Sequence, residues 1–178
     1  MWECSRNDIN KEAFPYGSGV VRRKRTGFLI SEACGEIGEV TKGEGFMNVV
    51  LIAHDPKKKL MQNLCIAYRG ILSHHTLYAT DTTGRLVEEA SGLTVHKFLA
   101  GHLGGVQQIG TQIEANQMDL VIFMRDPMIH MTATNDFVNI CTLCDVHNIP
   151  IATNLASAEL LIKSLERGDL DWRNLYKH

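Results

Sequence analysis

Three threonines, a glycine and a lysine have the residue types expected of a site for one phosphoryl group. Thr80, Thr82 and Thr83 lie at a predicted strand-to-helix junction, where backbone N–H groups and the helix dipole favour an anion. Gly101 would let the backbone approach a ligand closely, and Lys58 would supply a compact positive charge. The sequence contains neither G-x-x-x-x-G-K-[ST] nor G-x-G-x-x-G, which argues against a nucleoside triphosphate or a dinucleotide.

Titratable side chains that can move a proton follow other predicted strands. His54 and Asp55 come directly after one apolar run, and Asp126 follows another. A carboxylate or an imidazole held beside a substrate can act as a general acid or base. Asp55 and Thr82 are also good helix-capping types, so we expect them to cap the helices that follow them.

The elements that would position these side chains alternate between strand and helix. Apolar runs predict strands at 48–53, 76–79, 94–99, 120–124 and 149–153, and helices are predicted at 57–68, 83–90, 106–116, 135–147 and 156–166. In the first helix, Leu60, Leu64 and Ala67 form the expected buried stripe. The alternation predicts βαβ units, and therefore a three-layer α/β/α domain with a five-stranded parallel sheet. Ligands of such sheets bind beyond the carboxyl ends of the strands, where the polar residues above should meet.

Composition is that of an ordinary globular protein of about one domain. The 178 residues are 44% hydrophobic and 21% charged, and the net charge of −2 argues against nucleic acid or an anionic membrane as partner. The basic run at 22–25 is interpreted as a solvated turn. We expect residues 1–46 to be an N-terminal extension of unknown role and residues 47–178 to form the α/β domain.

Cysteine usage and the absence of targeting signals favour the cytoplasm. The five cysteines are odd in number and irregularly spaced, which fits a reducing compartment better than a disulfide framework. The sequence shows neither a secretory signal nor an apolar run of the ~18–20 residues that a spanning helix needs. Cys141 and Cys144 have the spacing of a zinc or redox pair, but they lie in an apolar predicted helix, so packing in the core is the favoured interpretation.

From Met47 to about Arg173 the chain resembles methylglyoxal synthase, a family that converts dihydroxyacetone phosphate to methylglyoxal and inorganic phosphate. The resemblance is carried by the segments 53–55, 80–84, 100–108, 123–127, 144–156 and 165–173. It implies that phosphate is bound by Lys58, Thr80, Thr82, Thr83 and Gly101. It also implies that no metal or other cofactor is used, and that identical chains form a homohexamer in which the region of Trp172 and Arg173 approaches a neighbouring subunit.

The same resemblance reveals departures at the catalytic positions. The Asp that serves the family as general base corresponds to Val106, and a His that contacts the substrate corresponds to Ala133. The family's remaining polar site positions are occupied by His54, Asp55, Asp126 and Asp136. Asp81 and His102 stand where the family has Gly and Pro, and Ala100 and His130 are further departures.

The new polar residues leave the chemistry open. Asp81 and His102 are candidate replacements for the lost acid–base groups, and a protonated His102 is the expected cation beside the Asp81 carboxylate. The first hypothesis is a protein that binds a small phosphorylated metabolite such as dihydroxyacetone phosphate with little lyase activity. The alternatives are a working carbon–oxygen lyase, with Asp55, Asp81 or Asp126 as a relocated base, and a non-catalytic structural or regulatory module.

Overall fold

A computed structural model describes residues 45–128 and 134–175 of the chain. Within these ranges five parallel strands form one sheet with the order β3-β2-β1-β4-β5. The strands are β1 (Asn48–Ala53), β2 (Thr76–Thr80), β3 (Val95–Phe98), β4 (Leu120–Met124) and β5 (Ile151–Ala152). The helices are α1 (Lys58–Ala67), α2 (Arg69–Leu72), α3 (Asp81–Ser91), α4 (Gly105–Glu114), α5 (Thr134–Val146) and α6 (Leu155–Glu166). Single 3₁₀ turns occupy Asp55–Lys57, Gly101–Leu103 and Asp171–Leu175.

The sheet is covered on both faces, which confirms the predicted three-layer α/β/α fold. Alternate residues of β1 contribute to different cores, with Val49 and Leu51 on one side and Val50 on the other. The first core includes side chains from α1, α3 and α6, and the second includes side chains from α4 and α5. Burial on both faces explains why the central strands are continuous apolar runs without alternation.

Several predicted details differ from the structure. Of the predicted buried stripe of α1, Leu64 is buried and Leu60 packs against the same core, but Ala67 is exposed, and Met61 and Cys65 complete the buried face. The prediction that Asp55 and Thr82 cap helices is wrong. Asp55 begins the 3₁₀ turn before α1, and Thr82 is the second residue inside α3, whose N-cap is Thr80.

The cysteine pair contributes to packing on the α4–α5 side. Cys144 is fully buried in that core, and burial raises the pKa of its thiol to about 12. Cys141 is half-buried, and burial raises the pKa of its thiol as well. A thiol held in its neutral form is a weak metal ligand and a weak nucleophile, which favours the packing interpretation.

The proposed extension of residues 1–46 falls almost wholly outside the described residues and stays a prediction. Among the helices that the structure does describe, none combines the length and apolarity needed to cross a bilayer.

Candidate functional site

A cavity of about 560 Å³ lies at the carboxyl edge of the sheet. Side chains that follow β1, β2 and β3 line it, together with residues from the beginnings of α4 and α5. Most of the predicted site residues are among them: His54, Asp55, Lys58, Thr80, Thr82, Gly101, His102 and Asp136. Parallel strands end at one edge, and this geometry brings together residues that are up to 82 positions apart in sequence (136 − 54).

The threonines at the start of α3 divide into an accessible one and a buried pair. Thr80 and Thr83 are 5% and 1% exposed, and the Thr80 hydroxyl donates to the Thr83 Oγ1 at 3.2 Å. Thr82 is exposed and lines the cavity with Thr80, whereas Thr83 does not line it. Thr83 therefore supports Thr80 from behind, and the first-turn N–H groups of α3 lie at the cavity edge, where they favour an anion.

Lys58 and Asp55 form an ion pair in the cavity wall. The Lys58 Nζ lies 2.6 Å from the Asp55 Oδ1; the Lys58 side chain is 18% exposed and that of Asp55 is 89% exposed. The hydrogen bond from Lys58, with its charge, holds the pKa of the Asp55 carboxyl below its ordinary value. Asp55 is therefore an anion at neutral pH and holds the Lys58 ammonium group in place.

His54 is held as a neutral hydrogen-bond donor. Its Nδ1 accepts the backbone N–H of Asp126 at 3.0 Å, so a neutral imidazole carries its proton on Nε2. Burial lowers the pKa of His54, opposed in part by the nearby charge of Asp126. Its ring also packs edge-on to Phe123, with centroids 5.3 Å apart. The Asp126 carboxylate itself accepts from the Met128 N–H at 3.1 Å, so this residue shapes the loop after β4 and does not line the cavity.

The loop between β3 and α4 places Val106 in the cavity wall. Gly104 adopts φ +92°, a conformation that favours glycine, and a Cβ on Gly105 would overlap the carbonyl oxygen of Leu99. The two glycines thus let the chain fold back tightly before α4. Val106 follows them, lines the cavity and is 9% exposed. Its methyl groups cannot take or give a proton.

The candidate replacement Asp81 does not line the cavity. Its carboxylate accepts from the Arg85 Nε at 2.9 Å, one helical turn along α3. The cation that faces Asp81 is therefore Arg85 and not His102, the partner predicted from the sequence. His102 lies near Asp55 instead and contributes to lowering the pKa of that carboxyl. An i, i+4 acid–base spacing is the sequence signal that would have identified Arg85.

Sequence reasoning also missed the partner of Asp136. The Gln107 Nε2 donates to the Asp136 Oδ1 at 2.8 Å and so links α4 to the beginning of α5. Ala133 and His130, both singled out from the sequence, lie outside the described residues.

Comparison with known proteins agrees with the fold. The MGS-like domain family matches residues 62–153. Methylglyoxal synthase of Caldicellulosiruptor saccharolyticus is 62% identical over 129 residues, which are 72% of this chain and 92% of that protein. Methylglyoxal synthase of Listeria welshimeri is 53% identical over 132 residues, covering 74% of this chain and 98% of the relative.

A solved structure has the same fold. The crystal structure of methylglyoxal synthase from Elizabethkingia anophelis aligns with a TM-score of 0.59 and 36% identity, covering 66% of this chain and 77% of the other. The parallel five-stranded sheet, the cavity at its carboxyl edge and these matches lead to one conclusion: the chain belongs to the methylglyoxal synthase family.

Proposed function

We propose that this protein binds a small phosphorylated metabolite, such as dihydroxyacetone phosphate, and has little or no lyase activity. The observation that carries the proposal is the position of Val106, an apolar side chain in the wall of a cavity that Lys58 and Thr82 also line. The binding half and the chemical half of the proposal rest on different residues and can be tested separately.

The binding half rests on hydrogen-bond donors and a cation that line the cavity. Lys58 provides a positive charge fixed by Asp55, Thr82 provides a hydroxyl group, and α3 provides N–H groups of its first turn beyond Asp81, whose own N–H donates to Leu99. Gly101 lines the same cavity without a side chain that could block the ligand. This arrangement suits the three terminal oxygens of one phosphoryl group.

The second part of the proposal, little or no lyase activity, rests on the general base that the resemblance leads us to expect at position 106. By resemblance, the family reaction removes a proton next to a carbonyl group and then eliminates phosphate from an enediol. A positioned general base typically contributes ~10²–10⁴-fold to such a step. Val106 stands where that base is expected, and Ala133 stands where the family has a substrate-contacting His. A ligand can therefore be held without being converted.

An active enzyme with a relocated base is the alternative. Asp55 favours it, because this carboxylate lines the cavity, is 89% exposed and is ionised at neutral pH. The same Lys58 contact that keeps Asp55 ionised makes it a weaker base, so we expect a slow reaction from it at most. A purely structural or regulatory module is the third possibility, and it predicts no phosphate binding in the cavity.

Calorimetric titration with inorganic phosphate tests the binding half. We expect saturable binding by the native chain and a loss of ~10–100-fold in affinity for Lys58→Met, as for a charge-assisted hydrogen bond. Lys59→Met is the matched control, because Lys59 has the same charge and lies next in α1 but is exposed and does not line the cavity. Absence of saturable binding, or equal losses in both variants, would contradict the proposal.

A further inference from the structure

Two consecutive glutamines at the start of α4 bond to neighbouring parts of the cavity wall, one to the loop after β3 and the other to the beginning of α5. We infer that Gln107 and Gln108 are positioning residues, each of which fixes one part of the cavity wall through a side-chain hydrogen bond. Gln108 accepts its hydrogen bond, and Gln107 donates its own. The consequence for ligand affinity rests on the proposed phosphate site. The positioning itself does not.

Gln108 holds the loop that carries Gly101 and His102. Its Oε1 accepts the backbone N–H of Leu99 at 2.9 Å, immediately after β3 ends. The carbonyl oxygen of Leu99 accepts the Asp81 N–H at 3.4 Å, so the residue is tied to α4 on one side and to α3 on the other. Loss of the amide acceptor would leave the Leu99 N–H without its partner and free the loop to move.

Backbone bonds within the loop transmit this constraint to the cavity. The Leu103 and Gly105 N–H groups both donate to the Ala100 carbonyl, at 2.9 and 3.1 Å. The loop is therefore a turn closed by its own hydrogen bonds, and Gln108 holds its first peptide at Leu99. Gly101 and His102 lie inside that turn and line the cavity, so the position of the Leu99 peptide determines where they lie.

Gln107 holds a second part of the cavity wall. Its Nε2 donates to the Asp136 Oδ1 at 2.8 Å, and Asp136 lines the cavity from the beginning of α5. A carboxylate can only accept, so the amide must present its NH₂ group to Asp136. This contact fixes the Asp136 carboxylate at the cavity and restricts where its negative charge lies relative to a bound anion.

Because one glutamine accepts and the other donates, replacement by glutamate should keep the hydrogen bond at position 108 and break it at position 107. In Gln108→Glu a carboxylate oxygen can still accept the Leu99 N–H, so the bond is kept. In Gln107→Glu the donor is lost and a second carboxylate faces Asp136. Both variants add the same charge at adjacent, exposed positions of one helix, and Gln112→Glu adds it later in that helix as a control. Gln108→Leu removes the acceptor without adding charge.

Amide hydrogen exchange at Leu99, measured without ligand, tests the Gln108 contact directly. We expect exchange to be about fivefold faster in Gln108→Leu, as for the loss of one hydrogen bond, and close to native in Gln108→Glu. Native protection that survives in Gln108→Leu would overturn the assignment of Gln108.

Phosphate affinity, measured by calorimetry on the same variants, tests the effect on the cavity. We expect Gln107→Glu to bind inorganic phosphate about fivefold more weakly than Gln108→Glu, and Gln112→Glu to match the native chain. Equal affinities for Gln107→Glu and Gln108→Glu would overturn the inference. If the native chain binds no phosphate, the proposed function fails, while the exchange rates at Leu99 still decide whether Gln108 positions the loop.

Discussion

Individual side chains give the cavity its chemical character. His54 is a neutral donor because the Asp126 N–H occupies its Nδ1, and Asp55 is an anion because Lys58 donates to it. Val106 adds an apolar side chain to the lining. These groups give the cavity a cation and a hydrogen-bond donor for the proposed anion, with Asp55 and Asp136 as the carboxylates among its lining residues.

Asp81 should oppose ligand binding, since it adds a negative charge at the first residue of α3. Arg85 offsets this charge only in part, because its side chain is 67% exposed and solvent screens the pair. We expect Asp81→Asn to bind inorganic phosphate up to about fivefold more tightly at low salt, with the gain shrinking at 0.5 M salt. Calorimetry at the two ionic strengths measures this. Unchanged affinity at low salt would show that the charge of Asp81 does not affect binding of the ligand.

At this scale the sequence predicted most of the residues that line the cavity, but not that Asp81, Thr83 and Asp126 stay out of its lining, nor how the side chains pair. Lys58 and Thr80 follow strand ends, and strand ends are readable from apolar runs. The contacts of Asp81 with Arg85 and of Asp136 with Gln107 depend on which side of a helix each residue faces. That orientation is set by tertiary packing, and the Gln107 contact also requires α4 and α5 to pack side by side.

At the scale of elements, the site depends on how each strand ends. Strands β1 and β4 have the bounds predicted from the sequence, because both are continuous buried runs. Strand β5 is shorter than predicted: the Ile149 N–H bonds to the Cys144 carbonyl at the end of α5, and Pro150 has no N–H for the sheet. Helix α3 begins two residues before its predicted start, because Thr80 in extended conformation serves as its N-cap.

The tight turn before α4 gives a prediction about Gly105. A methyl group at this position would overlap the Leu99 carbonyl and lie 2.7 Å from its carbon, so backbone would have to move. We expect Gly105→Ala to lower the free energy of unfolding by ~1–3 kcal/mol or more, measured by urea denaturation. Gly70→Ala is the control: a Cβ there meets nothing within 4 Å, and alanine in α2 should stabilise by ~0.5–1 kcal/mol. A neutral Gly105→Ala would contradict the close approach of these segments.

At the scale of the whole molecule, a buried arginine joins the C-terminal turn to the amino ends of the strands, far from the cavity. Arg173 is 3% exposed and donates to the carbonyl groups of His147, Asn148 and Met118 and to the Asn116 Oδ1. Asp119 lies 3.5 Å from its Nε, and the Asp119 Oδ2 accepts the N–H of the first residue of β1. The resemblance placed this region near a neighbouring subunit, yet the guanidinium group is occupied within its own chain.

Removal of this arginine should destabilise the entire domain. We expect Arg173→Met to cost ~3–5 kcal/mol in the free energy of unfolding, because Asp119 would remain buried without its cation. Arg173→Lys should rescue only part of the loss, since an ammonium group cannot reproduce the planar fork of donors. Adding Asp119→Asn to Arg173→Met should recover part of it by removing the buried charge. A cost below ~1 kcal/mol for Arg173→Met would contradict a structural role.

The most direct test of the central claim, binding without turnover, is methylglyoxal release from dihydroxyacetone phosphate. The native chain and a variant carrying Val106→Asp and Ala133→His would be assayed together. We expect release by the native chain close to that of a protein-free control, and release at least ~10²-fold faster from the variant, because a general base would then stand in the cavity wall where the resemblance places the family's own. Release by the native chain at a rate comparable to the variant would contradict the account and make Asp55 the first residue to test as a relocated base.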